Sequence, residues 1–170
     1  NKLFSFDWQF FDKEAGLYGL IDADEKVFAE VKELFKLLGE TGIGTDKNVG
    51  GGKFVPECGA IQIPEIPDAN ATLLLSLFLP EEAELSQLKL EDAVFELILR
   101  GGFLAGSTEE KFRHLRKKSV YMFNAGSLFP TVQEIKGKIV DLSPAWNDEK
   151  MHPAYRSGKP FCINIKVPSL

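Results

Sequence analysis

The residues of this chain whose types and spacing can do chemistry fall into two groups, and neither is built around a nucleophile. The first is Gly42-Ile43-Gly44-Thr45-Asp46-Lys47-Asn48-Val49-Gly50-Gly51-Gly52-Lys53-Phe54, with five glycines in eleven residues. Glycine loses more backbone entropy on folding than any other residue, so this density works against stability and must permit something else. Loops of this kind reach positive φ, expose backbone N–H groups and let a bulky anion approach the main chain, which is how phosphates are cradled. No Gly-Lys-Ser/Thr ends the loop, which excludes a Walker A motif. It follows a helical pattern rather than a strand, which excludes a dinucleotide fingerprint. A plain surface connector is the competing reading.

The second group is basic: Lys111, Arg113, Arg116, Lys117 and Lys118, with His114 among them. A histidine near lysines is also the equipment of a metal-independent ribonuclease. In that reading His114 or His152 is the general base, and Lys117 or Lys118 stabilises the charge that develops on phosphorus. Neither histidine has an obvious orienting carboxylate in the sequence, so the cluster reads as binding rather than catalytic, and the chain is expected not to be an enzyme. Cys58 and Cys162 are the only cysteines. Without a C-x-x-C pair, a zinc ribbon or thioredoxin-type site is excluded, and no metal or cofactor is expected. Serine-hydrolase chemistry lacks its residues as well.

Charge placement supports binding to an anion. The formal charge is −5, from 20 basic and 25 acidic residues in a chain of 170. Residues 1–41 carry 5 basic and 9 acidic side chains, and residues 55–99 carry 1 and 9. Residues 100–118 invert the balance, with 6 basic and 2 acidic. Phosphate binding depends on local potential rather than total charge, so this asymmetry fits one basic and one acidic face. The longest apolar stretch, Leu73 to Leu79, is broken by Ser76 and is too short to cross a bilayer. With no signal peptide and few cysteines, a cytoplasmic protein without membrane contact is expected. The composition, 44% hydrophobic and 26% charged, is that of a globular domain.

The elements that must position these groups follow from periodicity. Phe4, Phe6, Trp8 and Phe10 alternate with polar residues as in a strand, and Leu17 to Ile21 reads as its hairpin partner across a five-residue turn. From Glu25 the apolar positions Val27, Phe28, Val31, Leu34, Phe35 and Leu38 take the spacing of an amphipathic helix, with Asp22 and Glu25 as a capping pair and Gly39 as the stop. Strands are expected over Phe54–Ile66, Ala71–Leu79, Ala93–Leu99, Val120–Phe123, Ile135–Leu142 and Phe161–Val167. Ser107 and Glu110 form a capping-box pattern, and the acidic stretch Glu81–Asp92 a turn or short helix. The fold class is α+β with a largely antiparallel sheet.

The spacing Gly42-Ile43-Gly44, five residues, Gly50-Gly51-Gly52 resembles the glycine-rich loop of the RAMP superfamily of CRISPR-associated proteins, where it also follows a helix. Three later segments narrow the match. They are Lys117-Lys118-Ser119-Val120-Tyr121-Met122-Phe123 with Gly126-Ser127-Leu128-Phe129, then Gly137-Lys138-Ile139-Val140-Asp141, then His152-Pro153-Ala154-Tyr155-Arg156-Ser157-Gly158. Together they resemble the C-terminal part of the fourth subunit of the type III-A (Csm) interference complex.

This resemblance implies a ferredoxin-like (RNA-recognition-motif-like) RAMP fold. Residues 1–170 would be the C-terminal region of a longer protein, subdivided into 1–66 (hairpin, helix and glycine loop) and 67–170 (a second ferredoxin-like unit). It also implies a role in capping the complex at the repeat-derived 5′ handle of the crRNA, beside the large polymerase-like subunit and the adjacent backbone RAMP subunit. The alternative function is a RAMP endoribonuclease that processes precursor crRNA. The RNA-binding candidates are Gly42, Ile43, Gly44, Lys47, Gly50, Gly51, Gly52 and Lys53 in the loop, with Arg113, Arg116, Lys117 and Lys118 downstream. Asp46 and Gly51 depart from the loop pattern, the first by its charge and the second by replacing a hydrophobe.

Overall fold

The computed structural model describes residues 8–44, 47–104, 115–130, 134–144 and 152–168. The chain divides into two compact units, residues 1–61 and 62–170.

In the first unit the expected helix forms as α1 (Glu25–Thr41), but both of its ends differ from expectation. Asp24, not Asp22, is the N-cap. Its backbone is extended and its carboxylate accepts the Val27 N–H at 2.9 Å, which satisfies one of the donors left open at a helix start. The helix also runs past Gly39 to Thr41. Gly42, at φ 84°, ends it and donates its N–H to the Leu38 carbonyl at 2.7 Å. Thr41 Oγ1 donates to the carbonyls of Leu37 and Leu38, satisfying further groups at the same end. Gly39 instead sits inside the helix, buried, where a Cβ would run into the Phe54 carbonyl.

The hairpin expected before α1 is corrected. Residues 8–24 carry no strand, and residues 1–7 lie outside the described residues. Phe10, Leu17 and Tyr18 remain mostly in solvent. A strand needs ladder partners, and a lone two-stranded hairpin is marginal in water, so alternation without a partner does not suffice. The strand expected over 54–66 is also absent. Pro56 and Pro64 within it, and Pro67 just beyond, lack the N–H that a ladder requires.

The second unit is α+β with antiparallel pairing throughout, as expected. β1 (Ala71–Leu74) lies between β4 (Leu128–Phe129) and β7 (Cys162–Ile165). Thr72 faces Phe129 on one side and Asn164 on the other, and its hydroxyl donates to Asn164 Oδ1 at 2.9 Å. A strand flanked on both edges and covered on both faces reads as a continuous apolar run, which is what the sequence displayed. β1 is shorter than expected because the chain bends after Leu74. There Ser76 Oγ accepts the Phe161 N–H at 2.7 Å, and Phe78 returns to pair both ways with Phe123. β2 (Leu97–Arg100) pairs with β3 (Val120–Phe123), and β5 (Ile139–Asp141) with β6 (Tyr155–Ser157).

The core gathers Leu74, Phe78, Leu88, Phe123, Phe129 and Ile135. Phe123 and Phe129 meet edge to face at 5.2 Å between centroids, a geometry favoured by their ring quadrupoles. A single-turn helix, α2 (Glu82–Leu85), is fixed by Glu84 to the segment that leads into β5. Its carboxylate accepts N–H groups from Glu81 (2.7 Å), Lys136 (2.6 Å) and Gly137 (3.2 Å). Partial burial works to raise the Glu84 pKa, but these three donors and the Lys136 charge together outweigh it and hold the carboxyl below its usual value. Among the described residues no helix is long and apolar enough to cross a membrane.

Candidate nucleic-acid interface

The glycine loop is organised by backbone-to-backbone contact. Ile43 donates to the Gly52 carbonyl at 2.9 Å and Phe54 to the Gly39 carbonyl at 3.2 Å, so the two ends of the loop close against the last turn of α1. Within it, Lys47–Val49 forms a single 3-10 turn, and Gly50 donates to the Lys47 carbonyl at 3.0 Å. Gly42 and Gly52 stand where the two ends touch. A Cβ on Gly42 would lie 2.6 Å from the Gly51 carbonyl oxygen, and one on Gly52 would overlap the backbone of Ile43. Gly44 and Gly50 differ. Both hold positive φ, 85° and 87°, yet a Cβ on either would meet nothing within 4 Å. Their glycine is set by conformation alone, and the space beside them is open.

This arrangement narrows the loop's chemistry toward an anion. The N–H groups of Gly42, Ile43, Gly50 and Phe54 are already engaged by carbonyls. The preceding helix also presents its C-terminal, carbonyl-rich end, which attracts cations rather than phosphate. What remains for an anion is Lys47 and Lys53, both exposed and without an ion-pair partner among the described residues, beside the bare surface at Gly44 and Gly50. Thr45 and Asp46 lie outside the described residues.

In the second unit Arg116 and Lys117 lie on a β ribbon. Beyond β2 and β3 the pairing continues: Leu104 donates to Leu115 and Lys117 to Gly102, at 2.9 and 3.0 Å, and Phe103 faces Arg116. The register shifts by one residue between Arg100↔Val120 and Phe103↔Arg116, which marks a bulge in the second strand. Lys118 falls in this stretch, and its N–H goes to the Leu142 carbonyl at 2.8 Å. Arg116 is exposed and stands over the Phe103 ring at 5.1 Å from the centroid, within cation–π range. Lys117 is half-buried and Lys118 exposed. Ser143, through its hydroxyl and N–H, holds the Asp141 carboxyl below its usual pKa, with a smaller contribution from the Lys118 charge. Lys118 is thus partly answered from within the fold.

Lys111, Arg113 and His114, and the expected Ser107–Glu110 cap, lie outside the described residues. His152 is exposed, and its Nδ1 donates to the Pro153 carbonyl at 3.0 Å. Among the described residues no cluster of His, Cys, Asp and Glu could hold a metal ion. The segments that carried the resemblance turn out to build the fold: 120–123 is β3, 128–129 is β4, 139–141 is β5 and 155–157 is β6. Sequence reasoning passed over Phe103 and the role of Gly39. Phe103 lacked an alternating run that would have marked it, and Gly39 had the features of an ordinary helix stop.

Residues 67–165, most of the second unit, match the CRISPR Csm4 C-terminal domain family. The chain belongs to the Csm4 family. Similar proteins are the CRISPR system Cms protein Csm4 of two Mycobacterium tuberculosis strains, CDC 1551 / Oshkosh and ATCC 25618 / H37Rv. Each is 33% identical over 158 residues, covering 91% of this chain and 49% of the relative. The chain therefore spans about half the length of the curated Csm4 relatives it matches. The resemblance to type III-A RAMP proteins holds, and it rests on the sheet-forming segments as much as on the glycine loop.

Proposed function

We propose that this protein is a crRNA-binding subunit of a type III-A CRISPR interference complex, working in the cytoplasm. It caps the complex at the repeat-derived 5′ handle, between the large polymerase-like subunit and the adjacent backbone RAMP subunit. The carrying observation is family membership, because the Csm4 match spans the unit that bears the basic ribbon. The ferredoxin-like, RNA-recognition-motif-like fold belongs to the same proposal and is supported by antiparallel pairing in every sheet.

Binding without catalysis is the favoured mode. Lys47 and Lys53 offer point charges beside the open loop surface, and Arg116, Lys117 and Lys118 offer a second cationic strip. His152 has no carboxylate to orient it among the described residues, and its Nδ1 is taken up by a neighbouring carbonyl. The test is to purify the full-length protein in its complex and to sequence and footprint the RNA held there. Protection of the 5′ handle that disappears when this subunit is omitted is the expected result. Handle protection that persists without the subunit overturns the proposal. Loss of precursor cleavage in His114→Ala or His152→Ala would instead establish the endoribonuclease alternative.

A further inference from the structure

The first unit has no apolar interior of its own. Among the described residues every buried large apolar side chain belongs to the second unit, from Leu74 onward, whereas residues 8–61 bury only glycines. On α1 the apolar positions Val27, Phe28, Val31, Leu34, Phe35 and Leu38 fall within one sector of about 120°. None of them is buried, and Leu34 is 63% exposed. An amphipathic helix takes most of its stability from whatever covers its apolar face, and at 17 residues α1 is marginal alone. The same lack recurs upstream. Leu17 is 76% exposed and Tyr18 94%, in a stretch that reads as a strand and finds no ladder partner among the described residues. A bare helix face beside an unpaired strand pattern is one layer of a two-layer unit whose other layer lies elsewhere.

The family match indicates where. The Csm4 C-terminal domain begins at residue 67, which leaves the first unit outside it. The similarity to the relatives takes in 158 residues, more than residues 67–170 can supply, so the first unit has a counterpart in those proteins ahead of their C-terminal domain. The part matched is 49% of each relative, which leaves a further half to provide a cover. Charge argues against nucleic acid on this face, because residues 1–41 carry 5 basic and 9 acidic side chains. The sector is also wider than the two-position seam of a coiled coil, and suits the apolar face of a sheet.

We propose that α1 is a docking seam. Its apolar face packs on an apolar sheet face in the amino-terminal half of the full-length protein, and the glycine loop takes its closed form on the docked helix. The loop depends on the helix because Ile43 and Phe54 close it against the last turn of α1. The inference goes beyond the crRNA-binding reading and stands without it.

The test is hydrogen exchange in this chain and in the full-length protein, with the amides of β1 and β3 as an internal reference for the folded second unit. In the full-length protein the α1 amides should exchange at least about a hundredfold more slowly than in the chain alone. Ile43 and Phe54 should slow with them. In the full-length protein, Val27→Ser with Leu34→Ser should return α1 to its rate in the chain alone and leave β1 and β3 unchanged, whereas Ala29→Ser on the opposite face should leave α1 protected. Equal α1 rates in the chain and in the full-length protein overturn the proposal. Slow exchange in the chain alone overturns it as well: a monomer by light scattering would then cover the helix itself, and a dimer would cover it with a second copy. Protection that arises only in the assembled complex assigns the face to a neighbouring subunit, and protection that survives the double variant places the seam elsewhere; each overturns the proposal. A slowed α1 with Ile43 and Phe54 still fast overturns the coupling of the loop to the helix.

Discussion

The glycine loop and the β ribbon are both candidate RNA contacts, yet they are constructed on opposite principles. In the loop the shape is fixed by main-chain atoms: Ile43 and Phe54 close it on Gly52 and Gly39, and glycine is required because there is no room for a Cβ at Gly42 or Gly52. In the ribbon the main chain is held by ladder pairing between the strands, with Met122, Phe123 and Leu104 buried and Phe103 and Tyr121 exposed. The loop is therefore sensitive to added atoms, whereas the ribbon is sensitive to changes of side-chain character. The same distinction applies within the loop, where Gly44 and Gly50 have positive φ and open space while Gly42 and Gly52 have positive φ and close neighbours.

The largest effect should come from breaking that internal contrast. In Gly52→Val the new side chain overlaps the Ile43 backbone, so the closing hydrogen bond must open and the loop must rearrange. Gly44→Val places its side chain in free space, with a conformational cost of roughly 1–2 kcal/mol for left-handed backbone. In a chain of this size that cost lowers Tm by roughly 2–8 °C. Thermal unfolding should show Gly52→Val falling well beyond this range and Gly44→Val staying within it. The assembled complex should lose crRNA with either. Wild-type crRNA retention by a folded Gly44→Val protein would show the loop to be a connector, with its glycines serving only the turn.

Legibility in the sequence followed the same division. α1 is legible from its apolar spacing although Val27, Leu34 and Phe35 stay exposed and only Phe28, Val31 and Leu38 are half-buried, and β3 is legible as an apolar run of which Met122 and Phe123 are buried. The expected first hairpin rests on the alternation that ends at Trp8 and Phe10 and on the apolar run Leu17 to Ile21, yet no strand in the described residues accepts their ladder. At the ends of α1, Asp22 and Gly39 satisfied the composition rules for caps, while the geometry selected Asp24 and Gly42. Gly39 is needed for its missing Cβ rather than for its backbone freedom, a reason that only the Phe54 carbonyl reveals. In the candidate interface the glycines and lysines were legible by type. The open space at Gly44 and Gly50 was not, and neither was Phe103 beneath Arg116, since both depend on what lies opposite in space.

A smaller effect would sharpen the electrostatic side of the comparison. Each phosphate contact by a cation on a single strand contributes about 0.7 to the slope of log K against log salt. Lys117→Gln with Lys118→Gln should thus lower the slope by roughly 1.4 if both lysines touch phosphates. Lys118 shares its surroundings with Asp141, so Lys117→Gln is expected to account for at least half of the change. Measured over a range of salt concentrations, an unaltered slope in the double lysine variant would take the strip off the RNA path. The glycine loop, with Lys47 and Lys53, would then remain as the cationic contact.

The smallest effect separates stability from binding within the second unit. Glu84 is held by the N–H groups of Glu81, Lys136 and Gly137, and its carboxyl lies below the ordinary 4.5 in the folded protein. A carboxyl lowered on folding contributes stability that is fully present above its unfolded value and is lost as pH falls through its folded value. Glu84→Gln removes the titrating group and keeps the side chain's length, so the variant should be less stable than the parent at neutral pH. The gap should narrow as pH falls through the lowered folded value, once the parent's carboxyl is protonated as well. Urea midpoints at pH 7 and pH 3.5 measure the difference directly. A gap of constant size at both pH values would show that Glu84 acts through packing and not through its charge. Neither result should alter crRNA retention by the assembled complex at neutral pH, because Glu84 holds α2 and the approach to β5 and touches neither the glycine loop nor Arg116, Lys117 and Lys118.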